Sequence, residues 1–178
     1  MDDGKWRLSA PRWRRRVRHD RPDHWLADPV HWQEKTRDIE DLSNNNSTLD
    51  DLLAAAARGK GREMKPNSQP EKGSFYRADH FEFSKRGVPA LYTGGGKNLV
   101  SKPADLGRQK KDDYTAHHYH QVSDEVDSNW DLSGAVQDIQ LLFEVGYQVA
   151  NGDKFPEWRP DSEFKAKRES MLRKDRIE

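Results

Sequence analysis

Cysteine is absent from this 178-residue chain. Disulfides, thiolate nucleophiles and Cys-based zinc or iron–sulfur centres are therefore excluded. Long apolar runs are missing too, and none approaches the roughly 20 residues of a membrane-spanning helix. The opening stretch MDDGKWRLSAPRWRRR lacks the apolar segment of a secretory signal. Net charge is also lacking: 31 Lys and Arg balance 31 Asp and Glu. A neutral chain is not steered as a whole toward nucleic acid or an anionic membrane. Core-forming residues are scarce. Leu, Ile, Val and Phe make up 31 of the 178 residues, below the roughly one-fifth under which chains tend toward disorder. Charged residues reach 35%, against about 25% in an average globular domain. Such a chain is expected to bury a small core and to be incomplete as a folding unit. With neither thiols nor a signal, its compartment is left open.

What is present divides the chain unevenly. Residues 1–22 carry eight Lys and Arg against three Asp. Residues 1–45 read as a basic, poorly ordered or divergent segment. Its tryptophans and arginines also admit a nucleic-acid-binding arm, a weaker alternative because nothing else on the chain extends the patch. From residue 46 the sequence becomes orderly. Thr48 and Asp51 suit a helix start, and Gly59 suits its stop, predicting a helix over 49–58. KPNSQPEKG at 65–73 reads as a loop. Asp79 can cap a short helix over 80–86 with Gly87 just past its end. Val88 to Thr93 then reads as a buried strand. Gly94, Gly95 and Gly96 lack the following Lys-Ser/Thr of a phosphate loop. Residues 97–131 read as a long polar loop. In GAVQDIQLLFEVGYQVANG, the residues Val136, Ile139, Leu142, Phe143, Val145, Gly146 and Val149 predict a core helix. FPEWRPDSEF reads as an extended packed segment, and residues 161–178 as a charged tail.

Two stretches could carry chemistry. HHYHQVSDEVD places His117, His118 and His120 before Asp124, Glu125 and Asp127. Neutral imidazole suits zinc, and neighbouring carboxylates can orient it. On spacing alone these histidines read first as solvated loop residues. Tyr76-Arg77-Ala78-Asp79-His80 stands at a loop-to-helix junction, where Asp79 alone reads as an N-cap.

Taken together, YRADHFEFSKRGVPALY, YHQVSDEVDSNWDLSGAVQDIQLLFEVG and NSTLDDLLAAAA resemble the C-terminal half of zinc-dependent metallopeptidase family M twenty-eight, over about residues 46–160. That family includes leucyl-type aminopeptidases and, more distantly, glutaminyl cyclases. The resemblance implies an α/β fold, a partial three-layer α/β/α sandwich with a mixed sheet, truncated on its N-terminal side. It implies zinc as cofactor, with two ions in the family, and a peptide as substrate. Residue by residue, it makes His120 a zinc ligand and Asp124 the motif's downstream acid, which fixes the loop. It makes Asp79 an acid near the metal that holds a water or the substrate amine. Tyr76 becomes a phenol that can donate to the oxyanion, and Ala78 stands where the family commonly has Ser. Asp28 stands eight residues before Thr36-Arg37-Asp38, the spacing of a family zinc ligand on a strand, although Pro29 removes a ladder donor beside it.

The family's chemistry also needs a His-x-Asp motif, whose Asp bridges both zincs, and adjacent glutamates, one of them the general base. This chain has no Glu-Glu pair and no His-x-Asp. The expectation is an aminopeptidase-type hydrolase fragment with little or no activity of its own. The alternative is a non-catalytic interaction module or vestigial fragment, with a complementing or homo-oligomeric partner. Family members are often secreted or periplasmic.

Overall fold

The structure, a computed structural model, describes residues 34–174. Strands β1 (Asp38–Asp41), β2 (Glu63–Pro66) and β3 (Thr93–Gly94) form one sheet in the order β2-β1-β3. The helices are α1 (Leu49–Gly59), α2 (His80–Ser84), α3 (Leu106–His117), α4 (Ser133–Asn151) and α5 (Lys165–Lys174). The β1-α1-β2 unit is parallel, pairing Ile39 with Met64, while β3 runs antiparallel to β1. Helix and strand alternate as an α/β fold requires. No helix among the described residues is long and apolar enough to cross a membrane.

The central strand is unusual in composition. β1 reads DIED and is buried throughout, although Asp and Glu are poor strand formers. It holds because every carboxylate finds donors. Asp38 Oδ1 accepts the Lys97 and Asn98 N–H groups at 3.1 and 2.9 Å. Glu40 accepts the Ser68 N–H and the Lys97 ammonium. Burial pushes the Glu40 carboxyl up, but the bonds from Ser68 and Lys97 outweigh it and hold the group below its usual range. Ile39, on the other face of the strand, enters the main core with Leu53, Ala56, Ala57, Leu141 and Val145. Residues 34–45, expected within the poorly ordered or divergent N-terminal segment, carry the central strand. Residues 1–33 lie outside the described residues.

Several local expectations shift by a residue or more. α1 begins at Leu49 after Thr48 as expected, but Thr48 makes no side-chain capping bond, and Ser47 and Asp50 supply those bonds: Asp50 Oδ2 accepts the Ser47 N–H, and Ser47 Oγ accepts the Leu49 N–H. It stops at left-handed Gly61, φ 68°, two residues beyond Gly59, with Gly61 N–H on Arg58 O and Arg62 N–H on Ala57 O. The expected strand over 88–93 is an extended run in which only Thr93 and Gly94 pair. The polar stretch 97–131 contains α3, and the charged tail contains α5. In the triple glycine, a side chain on Gly96 would collide with Asp38 and Thr36, so the glycines serve close approach to β1.

α4 buries Gly134, Asp138, Leu141 and Val145. It leaves Val136, Ile139, Phe143 and Tyr147 more than half exposed. Of the apolar residues expected to face the core, Val145 alone is fully buried. The buried row runs through Asp138, whose Oδ1 meets Arg62 Nη1 at 2.6 Å.

A second cluster joins Phe75, Trp158 and Phe164, with Phe81 and Tyr92 at its margin. Trp158 Nε1 donates to Gly87 O at 3.1 Å. Gly87, at φ 87°, closes α2 as expected, and a Cβ there would lie 2.7 Å from the Arg168 backbone N. Gly87→Ala is expected to destabilise the fold by about 2–4 kcal/mol, from positive φ plus an overlap that backbone cannot relieve. Gly146→Ala, with open space around the site, is expected to stabilise α4 by up to about 1 kcal/mol. Urea unfolding of both variants checks the opposite signs.

Candidate functional site

The first stretch follows left-handed Gly73. A 3-10 turn over Ser74–Arg77 sends Phe75 into the core and Tyr76 outward. The Tyr76 ring packs edge-on against Phe75 and Phe81 at 5.6 and 5.3 Å. Its hydroxyl donates to Glu163 Oε1 at 2.7 Å. That bond pushes the phenol above its ordinary range. To serve an oxyanion, Tyr76 must first release Glu163. Asp79 occupies the N-cap position of α2, exposed and without a capping bond from its side chain.

His80, which the sequence offers only as a motif neighbour, is the buried group here. Its ring lies 4.5 Å from Phe75 and 4.7 Å from Tyr92. Nε2 is buried without a hydrogen-bond partner, and burial pushes the imidazole down toward the neutral form.

The second stretch lies at and beyond the end of α3. His117 Nδ1 faces Asp113 Oδ1 at 3.0 Å, and His118 Nδ1 faces Ser123 Oγ at 3.1 Å. His120 is exposed and left-handed, φ 60°. Its ring stacks on Tyr119 at 3.8 Å. Asp124 closes the turn: Oδ2 accepts the His120 N–H at 2.9 Å and Oδ1 accepts the Tyr114 hydroxyl. The Tyr114 bond, then the His120 N–H, hold the Asp124 carboxyl below its usual range. The same bond pushes the Tyr114 phenol up to about 12.

No hydrogen bond or ring contact joins Tyr76 or Asp79 to His120 among the described residues. Asp28 lies outside them. Among the described residues no group of three or more His, Asp or Glu side chains is placed to hold a metal ion. The three histidines point to three different partners. The buried acids Asp38, Glu40 and Asp41 are occupied by backbone and lysine donors. The described residues therefore do not fit a zinc centre, for which three protein ligands are the usual minimum, and no step is derived through zinc.

Asp124→Asn is expected to return the Tyr114 phenol from about 12 toward the ordinary value of 10.0. Ultraviolet difference titration of the tyrosines, with Tyr114→Phe to assign the transition, checks this.

Comparison with curated proteins and with solved structures finds no match. The model of Peptidase family M28 matches residues 25–143. That span includes both candidate stretches, all three strands and the first half of α4. The chain belongs to this peptidase family.

Proposed function

We propose that this chain derives from a zinc-dependent exopeptidase that removes N-terminal residues from peptides, and that by itself it lacks the machinery for turnover. Family membership supports the hydrolase class. The observation that carries the second half is in the sequence: 178 residues contain no Glu-Glu pair and no His-x-Asp. A water nucleophile needs a base to take its proton, and none is identified. In this reading the parent enzyme's zinc ligands stood at the positions of His120 and Asp28, with Asp124 fixing the His120 turn. Tyr76 is the oxyanion donor and Asp79 the acid that holds a water or the substrate amine. The three-stranded sheet is part of a three-layer sandwich whose other strands lie outside the described residues.

A second reading is a non-catalytic interaction module that packs against a partner carrying the rest of such a domain. α4 favours it. Phe143 is 70% exposed and Tyr147 61%, their rings stacked 6.1 Å apart on the side away from the core. Apolar faces of this kind mark contact surfaces.

The purified chain, supplied with zinc, is expected to release no detectable product from aminoacyl-anilide substrates. Robust release, abolished by a chelator and by His120→Ala, would overturn the proposal. Sedimentation of the chain alone addresses the second reading: self-association lost in Phe143→Glu would make a second copy the partner.

A further inference from the structure

The connection from β1 to α1 closes over two carboxylates. Asp50 is 1% exposed and Asp41 3%. Asp50 Oδ2 accepts the Ser47 N–H at 2.8 Å and the Ser47 hydroxyl at 3.3 Å. Asp50 Oδ1 is buried with no hydrogen-bond partner. Asp41, beside it, uses both oxygens as acceptors: Oδ1 takes the Ser43 N–H at 2.7 Å and Oδ2 the Asn45 N–H at 2.9 Å. Two left-handed asparagines, Asn44 at φ 57° and Asn45 at φ 54°, bend the backbone around the pair.

Two adjacent ionised carboxylates out of water repel each other, and a buried acceptor without a donor is unfavourable. One proton on Asp50 Oδ1 relieves both conditions. It removes a charge, and it turns an acceptor without a donor into a donor for the Asp41 carboxylate, which interacts with Asp50 through its side chain. We propose that Asp41 and Asp50 share one proton, and that this proton latches the 42–48 loop closed at the carboxyl end of β1.

One cation, Arg159, faces Asp50 among the described residues, and its hydrogen bonds go to Asp51 and Asn45 instead. From β1 Asp50 meets Asp41, and on its own helix Asp51 follows it. From the segment packed across the loop comes Arg159, which pairs with Asp51 at 2.7 Å and donates to Asn45 Oδ1 at 3.0 Å. Asp161 lies beside Arg159. The same segment is tied to the loop by Thr48 N–H to Glu157 O, Glu157 N–H to Thr48 Oγ1 and Arg159 N–H to Asn46 O. Opening the loop therefore loosens residues 157–159 as well. Open α/β sheets hold ligands at the carboxyl ends of their strands, so the proton state of the pair shapes that edge.

The sign follows from the shift. Burial first, then the charge of Asp41, pushes the Asp50 carboxyl from 3.8 up to about 7. Between those values the folded chain holds a proton that the unfolded chain has released. Stability therefore falls as pH rises through that window and is level above it.

Urea unfolding of the full chain between pH 4.5 and 8 tests this, comparing wild type with Asp50→Asn. The wild-type unfolding constant is expected to rise by up to about tenfold per pH unit up to pH 7, relative to the variant. His80, which titrates with the opposite sign, is common to both chains and cancels in the difference. Carboxyl-carbon NMR of wild type supplies a second readout: one Asp with a midpoint near pH 7. Amide exchange at residues 43–48, corrected for intrinsic rate, is expected to quicken at pH 8 over pH 5.5. Parallel unfolding profiles, no Asp carboxyl titrating above pH 5.5, or loop exchange independent of pH would each overturn the proposal. Should Asp50→Asn fail to fold, the two wild-type readouts decide.

Discussion

The structure depends on one buried guanidinium. Arg62 is 3% exposed and stands where α1 ends and β2 begins. Its Nη1 donates to Asp138 Oδ1 at 2.6 Å on α4, and its Nη2 to Thr36 Oγ1 at 2.7 Å beside β1. A third bond reaches the Asp38 carbonyl within β1. An unmatched guanidinium in this interior would cost several kcal/mol. Any sliding of α4 along α1, or of β1 against β2, would unmatch it. The apolar core of Ile39, Leu53, Leu141 and Val145 is small and indifferent to register, because apolar contact is non-directional. Arg62 supplies the direction. The preceding residue of α4 reinforces it, with the Gln137 amide oxygen accepting the Thr36 N–H at 3.0 Å.

The same economy governs the acids. A chain this polar must bury carboxylates, and it does so where backbone N–H groups or a lysine can meet them. Asp38, Glu40 and Asp41 look like a metal-binding strand in composition, yet their oxygens are engaged in holding the loops that follow β1, β2 and β3. The histidines after α3 are similarly dispersed. Residues belonging to the family's motifs therefore sit in a fold whose described part holds no metal centre. Asp50 is the exception among the buried acids, because one of its oxygens meets no donor.

Much of this was legible in the sequence. Helix α1, the Gly87 stop after α2, the extent of α4 and the packed aromatic tail follow from capping residues, spacing and anchors. The family was legible too, from two ordered motifs. What stayed hidden has physical causes. β1 was invisible because DIED has one apolar residue, and its burial depends on donors about 30 and 60 positions downstream. The inward row of α4 differs from the apolar spacing because Asp138 belongs to it, and its pairing with Arg62 lets an aspartate stand in the core. Thr48 and Ser47 are equally good cap residues, and contact of Thr48 with Glu157 decides between them. α3 was hidden in a polar run with little to bury beyond Gly107. For the candidate site, the sequence named Tyr76, Asp79, His120 and Asp124, but not the partnership of Tyr76 with Glu163, 87 residues away.

The central claim is that a chain of this peptidase family carries motif residues while no group among its described residues is placed to hold a metal ion. Zinc stoichiometry tests it most directly, measured on the purified chain after metal reconstitution and dialysis, with His120→Ala alongside. The account predicts well under one zinc per chain, with no difference between the two proteins. Two tightly held zinc ions per chain, lost in His120→Ala, would contradict it.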